Sequence, residues 1–166
     1  MHIGVGSGVL LAELAHQGAQ GLWGVDINPD ALIVSQALLA VEASSKPAHL
    51  LEGDMWEPLP QPMQFDIIVA NLPHFPGSVT LADRPATWTG GEGRLIMDRF
   101  IEALPERLSQ NGVAFITHHD LVGLQHTSNV IHTCEESLRY LGGYAFMDAR
   151  ILAIRLGHEL KSALIG

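Results

Sequence analysis

The 166-residue sequence contains a single cysteine, Cys134, and few charged side chains. One cysteine excludes an internal disulfide framework and a metal cluster held by several thiolates. Charged residues make up 16% of the chain, against about 25% in ordinary globular proteins, whereas hydrophobic residues make up 47%. A chain with this composition is expected to fold rather than to remain disordered over most of its length.

Basic residues are scarce as well, because 9 Lys and Arg stand against 18 Asp and Glu and give a formal net charge of −9. An extensive contact with nucleic acid needs clustered Lys and Arg, so a nucleic-acid partner is not expected. No apolar run approaches the roughly 20 residues of a membrane helix, and no signal peptide is recognised after Met1. We expect a cytoplasmic protein without a membrane contact, and leave open whether it associates with copies of itself.

The sequence does contain an alternation of strand-length apolar runs and helix-period segments. Strands are predicted at Ile3–Val5, Leu22–Asp26, His49–Leu51, Phe65–Asn71, Val113–Thr117 and Ile151–Leu156. Helices are predicted over Val9–His16, after Asn28-Pro29, and on two apolar stripes, Ile96/Phe100/Leu104/Leu108 and Val130/Ile131/Cys134/Leu138/Leu141. This alternation favours one α/β domain over residues 1–166, with a mostly parallel twisted sheet and helices on both faces.

Two of these helices carry further signals. Asn28 can cap the second helix and Pro29 is tolerated in its first turn. The residues expected on its buried face are Ala31, Val34, Leu38 and Val41. Pro105 is expected to kink or break the third helix, because proline removes a backbone hydrogen bond.

In open α/β sheets, ligands bind at the carboxyl ends of the strands, so the residues after each strand are the candidate site residues. The first strand leads into Gly4-Val5-Gly6-Ser7-Gly8, where glycines let the backbone approach a ligand closely. Asp26 ends the second strand and can accept hydrogen bonds from both ribose hydroxyls, and Ile27 offers an apolar face to an adenine. A plain tight turn and a favourable helix N-terminal charge would explain the same residues without a ligand.

Polar residues also follow the third and fourth strands. Asp54 can accept a hydrogen bond from an exocyclic amine while Met55 packs on the ring, although a surface turn is the alternative. In Asn71-Leu72-Pro73-His74, an amide oxygen beside a backbone carbonyl forms a pair of acceptors for the N–H groups of an amide or amine. Pro73 fixes the local backbone, and the flat side chain of His74 can stack on a planar substrate.

Taken together, these segments resemble the class I S-adenosylmethionine-dependent methyltransferases over roughly Ile3–Thr117. Asn71-Leu72-Pro73-His74 resembles the Asn-Pro-Pro-Tyr motif of the amino-methyltransferase branch. Gly53-Asp54-Met55-Trp56-Glu57-Pro58-Leu59 and Gly90-Gly91-Glu92-Gly93-Arg94-Leu95 resemble segments of the release-factor (N5-glutamine) methyltransferases. The family carries an N-terminal substrate-recognition segment upstream of this region. We therefore expect either a fragment or minimal core, or a protein in which the loops and a partner select the substrate.

The resemblance implies a Rossmann-like fold and transfer of a methyl group to an amide, amine or heteroaromatic nitrogen of a protein side chain or small molecule. It implies S-adenosylmethionine as the cofactor, bound by Gly4, Gly6, Ser7, Gly8, Asp26, Ile27, Asp54, Met55 and Asn71. The residues implied to align the acceptor are Asn71, Leu72, Pro73 and His74.

Three residues depart from the family pattern. His2 stands where the family has an Asp or Glu that helps to hold the ammonium group of the cofactor. Leu72 and His74 replace a proline and a tyrosine, which suggests an acceptor other than the usual release-factor glutamine. If the reaction uses a general base, His74 is the candidate, because the pKa of histidine lies near neutrality.

Two other functions are considered. His2 and the altered Asn71 segment also fit a non-catalytic subunit of this fold that binds and supports a partner chain. An NAD-dependent oxidoreductase is disfavoured, because Val9 stands at the third glycine position of the dinucleotide pattern. No metal site is expected at His118-His119 and His126, because adjacent residues on a strand point to opposite faces.

Overall fold

The computed structural model describes residues 1–73, 93–119, 123–133, 138–146 and 149–156. They belong to two compact units. The first unit contains Met1–Met63 and Ile68–Asn71, and the second contains Gln64–Ile67 and the described residues from Leu72 onwards. None of the helices in these ranges combines the length and the apolarity that a membrane span requires.

The first unit is a parallel α/β unit. Its elements are β1 (His2–Ile3), α1 (Val9–His16), β2 (Leu22–Asp26), α2 (Pro29–Glu42), β3 (Ala48–Glu52) and the second half of β4 (Phe65–Ala70). The strand order is β3-β2-β1-β4, and every neighbouring pair is parallel. The predicted α/β class is confirmed, and the strand bounds in this unit differ from the prediction by at most two residues. Strand β1, for example, ends at Ile3 because Gly4 turns the chain with a φ of 69°.

The core of this unit lies where α1 and α2 cover the sheet. Its buried members are Val5, Leu11, Ala12, Ala15, Leu22, Leu39 and Ala43. Gly24 lies in the middle of β2, where a Cβ would come within 2.7 Å of Leu50 and 2.9 Å of Val5. The absence of a side chain at Gly24 therefore allows Leu50 and Val5 to pack closely over β2.

We expect Gly24→Ala to lower the free energy of unfolding by about 1–3 kcal/mol, because an added methyl group overpacks a filled core. Urea denaturation followed by circular dichroism would measure the change. Gly21→Ala is the matched control, because a Cβ at Gly21 meets nothing within 4 Å. Equal stability of the two variants would contradict this account of the packing.

Helix α2 begins as predicted, because the Asn28 side chain accepts a hydrogen bond from the Asp30 N–H at 3.0 Å and Pro29 occupies the first turn. The predicted buried face is confirmed at Leu38, which packs half-buried against the core, and is wrong at Val34 and Val41. Val34 and Val41 are 53% and 77% exposed, whereas Ser35 and Leu39 are buried. Helix α2 carries apolar residues on all of its faces. The spacing of these residues alone therefore did not identify the face that packs on the sheet.

The second unit contains the first half of β4, α3 (Leu95–Arg107), β5 (Leu108–His119), α4 (Leu124–Thr133), β6 (Leu138–Phe146) and β7 (Ala149–Leu156). Strand β7 lies between β5 and β6 and pairs antiparallel with both. Buried side chains of α3 form much of its core, namely Met97, Phe100, Ile101 and Leu104. At the start of β4, the Ser109 hydroxyl donates to an Asp66 carboxylate oxygen at 2.7 Å.

Three predictions about this unit need correction. Pro105 does not break α3, which continues to Arg107: the missing N–H removes one backbone hydrogen bond, and only two helical residues follow it. The turn expected at Asn111-Gly112 lies within β5. The predicted stripe from Val130 to Leu141 is divided, because α4 ends at Thr133 and Leu138 begins β6, while Cys134 lies outside the described residues.

Candidate active site

The candidate site begins at the turn that links β1 to α1. Gly4, Gly6 and Gly8 have φ angles of 69°, 55° and 83°, which glycine adopts readily and other residues rarely do. The N–H groups of Gly4 and Val5 both donate to the Val25 carbonyl, at 2.8 and 3.0 Å, so β2 anchors the turn. A Cβ at Gly4 would meet nothing within 4 Å, which leaves open space beside the backbone.

Asp26, at the end of β2, contacts this turn directly. One carboxylate oxygen accepts the Gly6 N–H at 2.9 Å, and the other accepts the Asn28 N–H at 2.9 Å. Each oxygen keeps capacity to accept a further hydrogen bond. The structure therefore brings the predicted acidic residue and the predicted glycine-rich turn together, with acceptor capacity left for a ligand hydroxyl.

The residues after β3 lie beside the same strand end, because the Gly53 N–H donates to the Asp26 carbonyl at 3.0 Å. Asp54 is half-buried, and Met55 has a φ of 50° and is only 5% exposed. Ile27 is 54% exposed. Of the two apolar residues predicted to contact an adenine ring, Ile27 thus presents surface to solvent while Met55 is packed inside the protein.

Asn71 follows β4, which pairs with β1. Ala70 is level with Ile3 in this pairing, so Asn71 and Gly4 are the next residues of the two neighbouring chain segments. Asn71 is exposed, Leu72 is buried and Pro73 is half-buried. His74 lies outside the described residues, so its predicted stacking and general-base roles stay predictions.

His2 is enclosed beside the candidate site, on β1. Its side chain is 3% exposed, and neither ring nitrogen has a hydrogen-bond partner in the described part of the chain. Burial lowers the pKa of His2 from 6.5 to about 4; the nearby amino terminus adds to this effect and Asp26 opposes it. The imidazole is therefore neutral at pH 7, so His2 places no positive charge beside the candidate site.

The pKa of His2 predicts a loss of stability in mild acid. Below about pH 6.5 the unfolded chain binds a proton at this residue while the folded chain does not, until the pH falls to about 4. The folded state is thereby destabilised, by up to about 3 kcal/mol from this group alone. Urea denaturation at several pH values between 7.5 and 4.5 would measure the decline.

His2→Leu should remove that part of the pH dependence, because leucine does not titrate. His16→Gln is the control, since His16 is an exposed histidine on α1. The same decline in His2→Leu and in the wild-type chain would show that His2 is not the group responsible.

Sequence reasoning missed Ser35. This residue lies on α2, is 0% exposed, and its hydroxyl donates to the Gly6 carbonyl at 2.7 Å. The available signal was a serine within a helix rich in apolar residues. It was overlooked because the predicted buried face of α2 included Val34 rather than its neighbour.

A polar cluster in the second unit was also not predicted from the sequence, although His118 and His126 were named. The Arg94 guanidinium contacts the Asp98 carboxylate and donates to the Thr127 hydroxyl at 2.6 Å. The buried His118 Nε2 lies 2.8 Å from the same hydroxyl, and His126 Nε2 lies 3.4 Å from Asp98. Within the described ranges, no three side chains of the metal-ligating types come together.

Comparisons with known proteins identify related chains. A family model described as a methyltransferase domain matches residues 1–84. A candidate protein N5-glutamine methyltransferase of Methanocaldococcus jannaschii is 35% identical over 133 residues, which cover 78% of this chain and 66% of the relative. A tRNA (adenine-N6)-methyltransferase of Porphyromonas gingivalis is 32% identical over 173 residues, which cover 99% of this chain and 63% of the relative. The chain thus spans about two thirds or less of the length of these relatives.

The fold is also found among solved structures. The ribosomal protein L11 methylase of Lactobacillus delbrueckii subsp. bulgaricus matches with a TM-score of 0.72 at 20% identity, over 95% of this chain and 69% of that one. This likeness confirms the predicted Rossmann-like fold. The tRNA-modifying relative does not support the expectation that a nucleic-acid partner is unlikely, because that expectation rested on net charge alone.

The family model covers more than half of the chain and includes the glycine-rich turn, Asp26, Asp54 and Asn71. The resemblance to class I methyltransferases was inferred from these same residues in this order. The chain belongs to the S-adenosylmethionine-dependent methyltransferases.

Proposed function

We propose that this chain binds S-adenosylmethionine at the carboxyl ends of β1, β2 and β3 and transfers its methyl group to an amino nitrogen held at Asn71. The observation that carries the proposal is the hydrogen bond between the Gly6 N–H and the Asp26 carboxylate. Asn71 lies on the neighbouring strand segment, because β4 pairs with β1. A cytoplasmic location remains part of the proposal.

The residues present fit this cofactor. The turn leaves open space beside Gly4, and Asp26 retains acceptor capacity for the two hydroxyls of a ribose. Ile27 offers exposed apolar surface for an adenine, and Asp54 lies close to the end of β2 through the hydrogen bond of Gly53. When bound, the cofactor supplies a methyl group that its positive sulfur already makes electrophilic.

The protein's part in such a transfer is alignment, which can supply roughly 7–11 kcal/mol of the barrier. The Asn71 side-chain carbonyl and the Leu72 backbone carbonyl accept the N–H groups of the acceptor and direct its nitrogen lone pair. Pro73 limits the backbone freedom of this segment. A dedicated general base is not required, because the leaving proton can pass to solvent after transfer.

The acceptor that we favour carries an NH2 group on a conjugated carbon. A glutamine amide and the N6 amine of adenine share this group. The names of the two relatives described above give these two groups as their acceptors. Such a nitrogen is a weak nucleophile, so oriented acceptors matter more for it than for an alkyl amine. We take a protein amide as the first acceptor to test, because the relative named for glutamine is 35% identical to this chain and the tRNA-modifying relative is 32% identical.

The test combines binding and transfer. Isothermal titration with S-adenosylmethionine should give a saturable isotherm. Transfer of a labelled methyl group should be seen with glutamine-containing peptides but not with peptides in which glutamine is replaced by norleucine. Transfer to adenine-containing RNA instead would support an acceptor with an NH2 group on a conjugated carbon, and would contradict the protein acceptor. Absence of S-adenosylmethionine binding would contradict the enzyme and favour the partner-supporting subunit.

A further inference from the structure

We infer that Ser35 is a positioning residue that, together with Asp26, holds the glycine-rich turn in its binding shape before any cofactor arrives. The cofactor part of this inference rests on the function proposed above. The holding of the turn rests on contacts within the first unit alone. Ser35 itself is too deeply buried to be assigned a direct contact with a ligand.

The first observation is that both polar groups of the Gly6 backbone are engaged by side chains. The Gly6 N–H donates to the Asp26 carboxylate at 2.9 Å, and the Gly6 carbonyl accepts the Ser35 hydroxyl at 2.7 Å. One partner comes from the end of β2 and the other from the middle of α2. Gly6 is thus fixed from two elements that are otherwise separate in sequence.

The second observation is the burial of Ser35. It is 0% exposed and lies one helical turn before Leu39 on the face of α2 that packs into the unit. A buried hydroxyl without a partner is unfavourable, whereas an alanine at this position would bury apolar surface without that cost. The hydrogen bond to Gly6 provides the physical reason for a serine on this face.

The third observation concerns size. A Cβ built on Gly8 would lie 3.0 Å from the Cα, Cβ and Oγ atoms of Ser35. The turn and α2 therefore pack closely at this point, and a side chain at position 8 would clash with Ser35. Both the donor and the small volume of Ser35 suit its place beside the turn.

The consequence is preorganisation. Glycine loses more backbone freedom on ordering than other residues, and Gly4, Gly6 and Gly8 all lie within five positions. A turn that is ordered only by the ligand would lower the affinity by the cost of that ordering. Fixing Gly6 in advance removes part of this cost.

The test compares Ser35→Ala with Leu39→Val in the full chain. Ser35→Ala removes the hydroxyl and keeps the small volume, whereas Leu39→Val loosens the same helix face without removing a hydrogen bond to the turn. Amide hydrogen exchange without cofactor should become faster at Gly6–Gly8 in Ser35→Ala only. Titration calorimetry should show the Kd for S-adenosylmethionine raised about three- to tenfold in Ser35→Ala, the range for one neutral hydrogen bond.

The inference is overturned if Ser35→Ala lowers only the melting temperature and leaves both exchange in the turn and the Kd at wild-type values. It is overturned as well if Leu39→Val, at a matched loss of stability, weakens binding equally. A wild-type chain that binds no S-adenosylmethionine would contradict the proposed function. The exchange comparison would then decide by itself whether Ser35 holds the turn.

Discussion

Asn71→Ala is expected to reduce methyl transfer about 10²–10³-fold at saturating S-adenosylmethionine, the range for loss of one preorganised hydrogen-bonding group in an active site. The alanine removes the side-chain acceptor that aligns the nitrogen and leaves the Gly6 turn and its hydrogen bond to Asp26 intact. Single-turnover kinetics with a labelled methyl donor and the acceptor found in the transfer assay would measure the loss. Calorimetry should show that the Kd for the cofactor changes little by comparison.

Asn111→Ala is the control for Asn71→Ala, because Asn111 is an exposed asparagine in β5. It should transfer methyl groups at the wild-type rate. Wild-type turnover in Asn71→Ala would remove the alignment mechanism. A parallel loss of cofactor affinity and turnover would assign Asn71 to cofactor binding alone.

Asp26→Ala is expected to raise the Kd for S-adenosylmethionine roughly 100-fold or more. The proposed ribose contacts are hydrogen bonds to a charged group, each of which contributes about 1.5–3 kcal/mol. The same change leaves the N–H groups of Gly6 and Asn28 without their carboxylate partner, which loosens the turn. Isothermal titration would measure the affinity, and circular dichroism would confirm that the variant is folded.

Asp30→Asn provides the matched control for charge, because Asp30 is an exposed acid in the first turn of α2. It lowers the negative charge as much as Asp26→Ala does, without touching the turn. Asp26→Asn should fall between the two, since an amide oxygen can still accept one of the hydrogen bonds. Affinity that falls equally in Asp30→Asn and Asp26→Ala would show that net charge, rather than the Asp26 geometry, governs binding.

Local signals predicted the elements that position the site. Helix α1 and strand β2 have the predicted bounds, because a glycine directly precedes each of them and their apolar patterns are short and clear. The Asn28 cap is likewise a local interaction between neighbouring residues. The proximity of the Gly6 turn to Asp26 also followed from the sequence, since parallel strands bring their carboxyl ends to one edge.

The remainder depended on partners that are distant in sequence. Ser35 acquires its role only because α2 packs against a turn 29 positions earlier. Strand β6 was missed because its pairing with β7 determines its structure, while its apolar residues also fit a helical period. The neutral state of His2 follows from enclosure by the fold, which the residue type alone does not specify.

The solvent-facing side of α2 has a practical consequence for preparing this protein. Ile33, Val34 and Val41 expose 67%, 53% and 77% of their surface, and none of them takes part in the contacts that hold Gly6. Apolar side chains displayed in this way favour self-association in concentrated samples. Changing Val41 to glutamate should therefore improve solubility during purification without altering the candidate site.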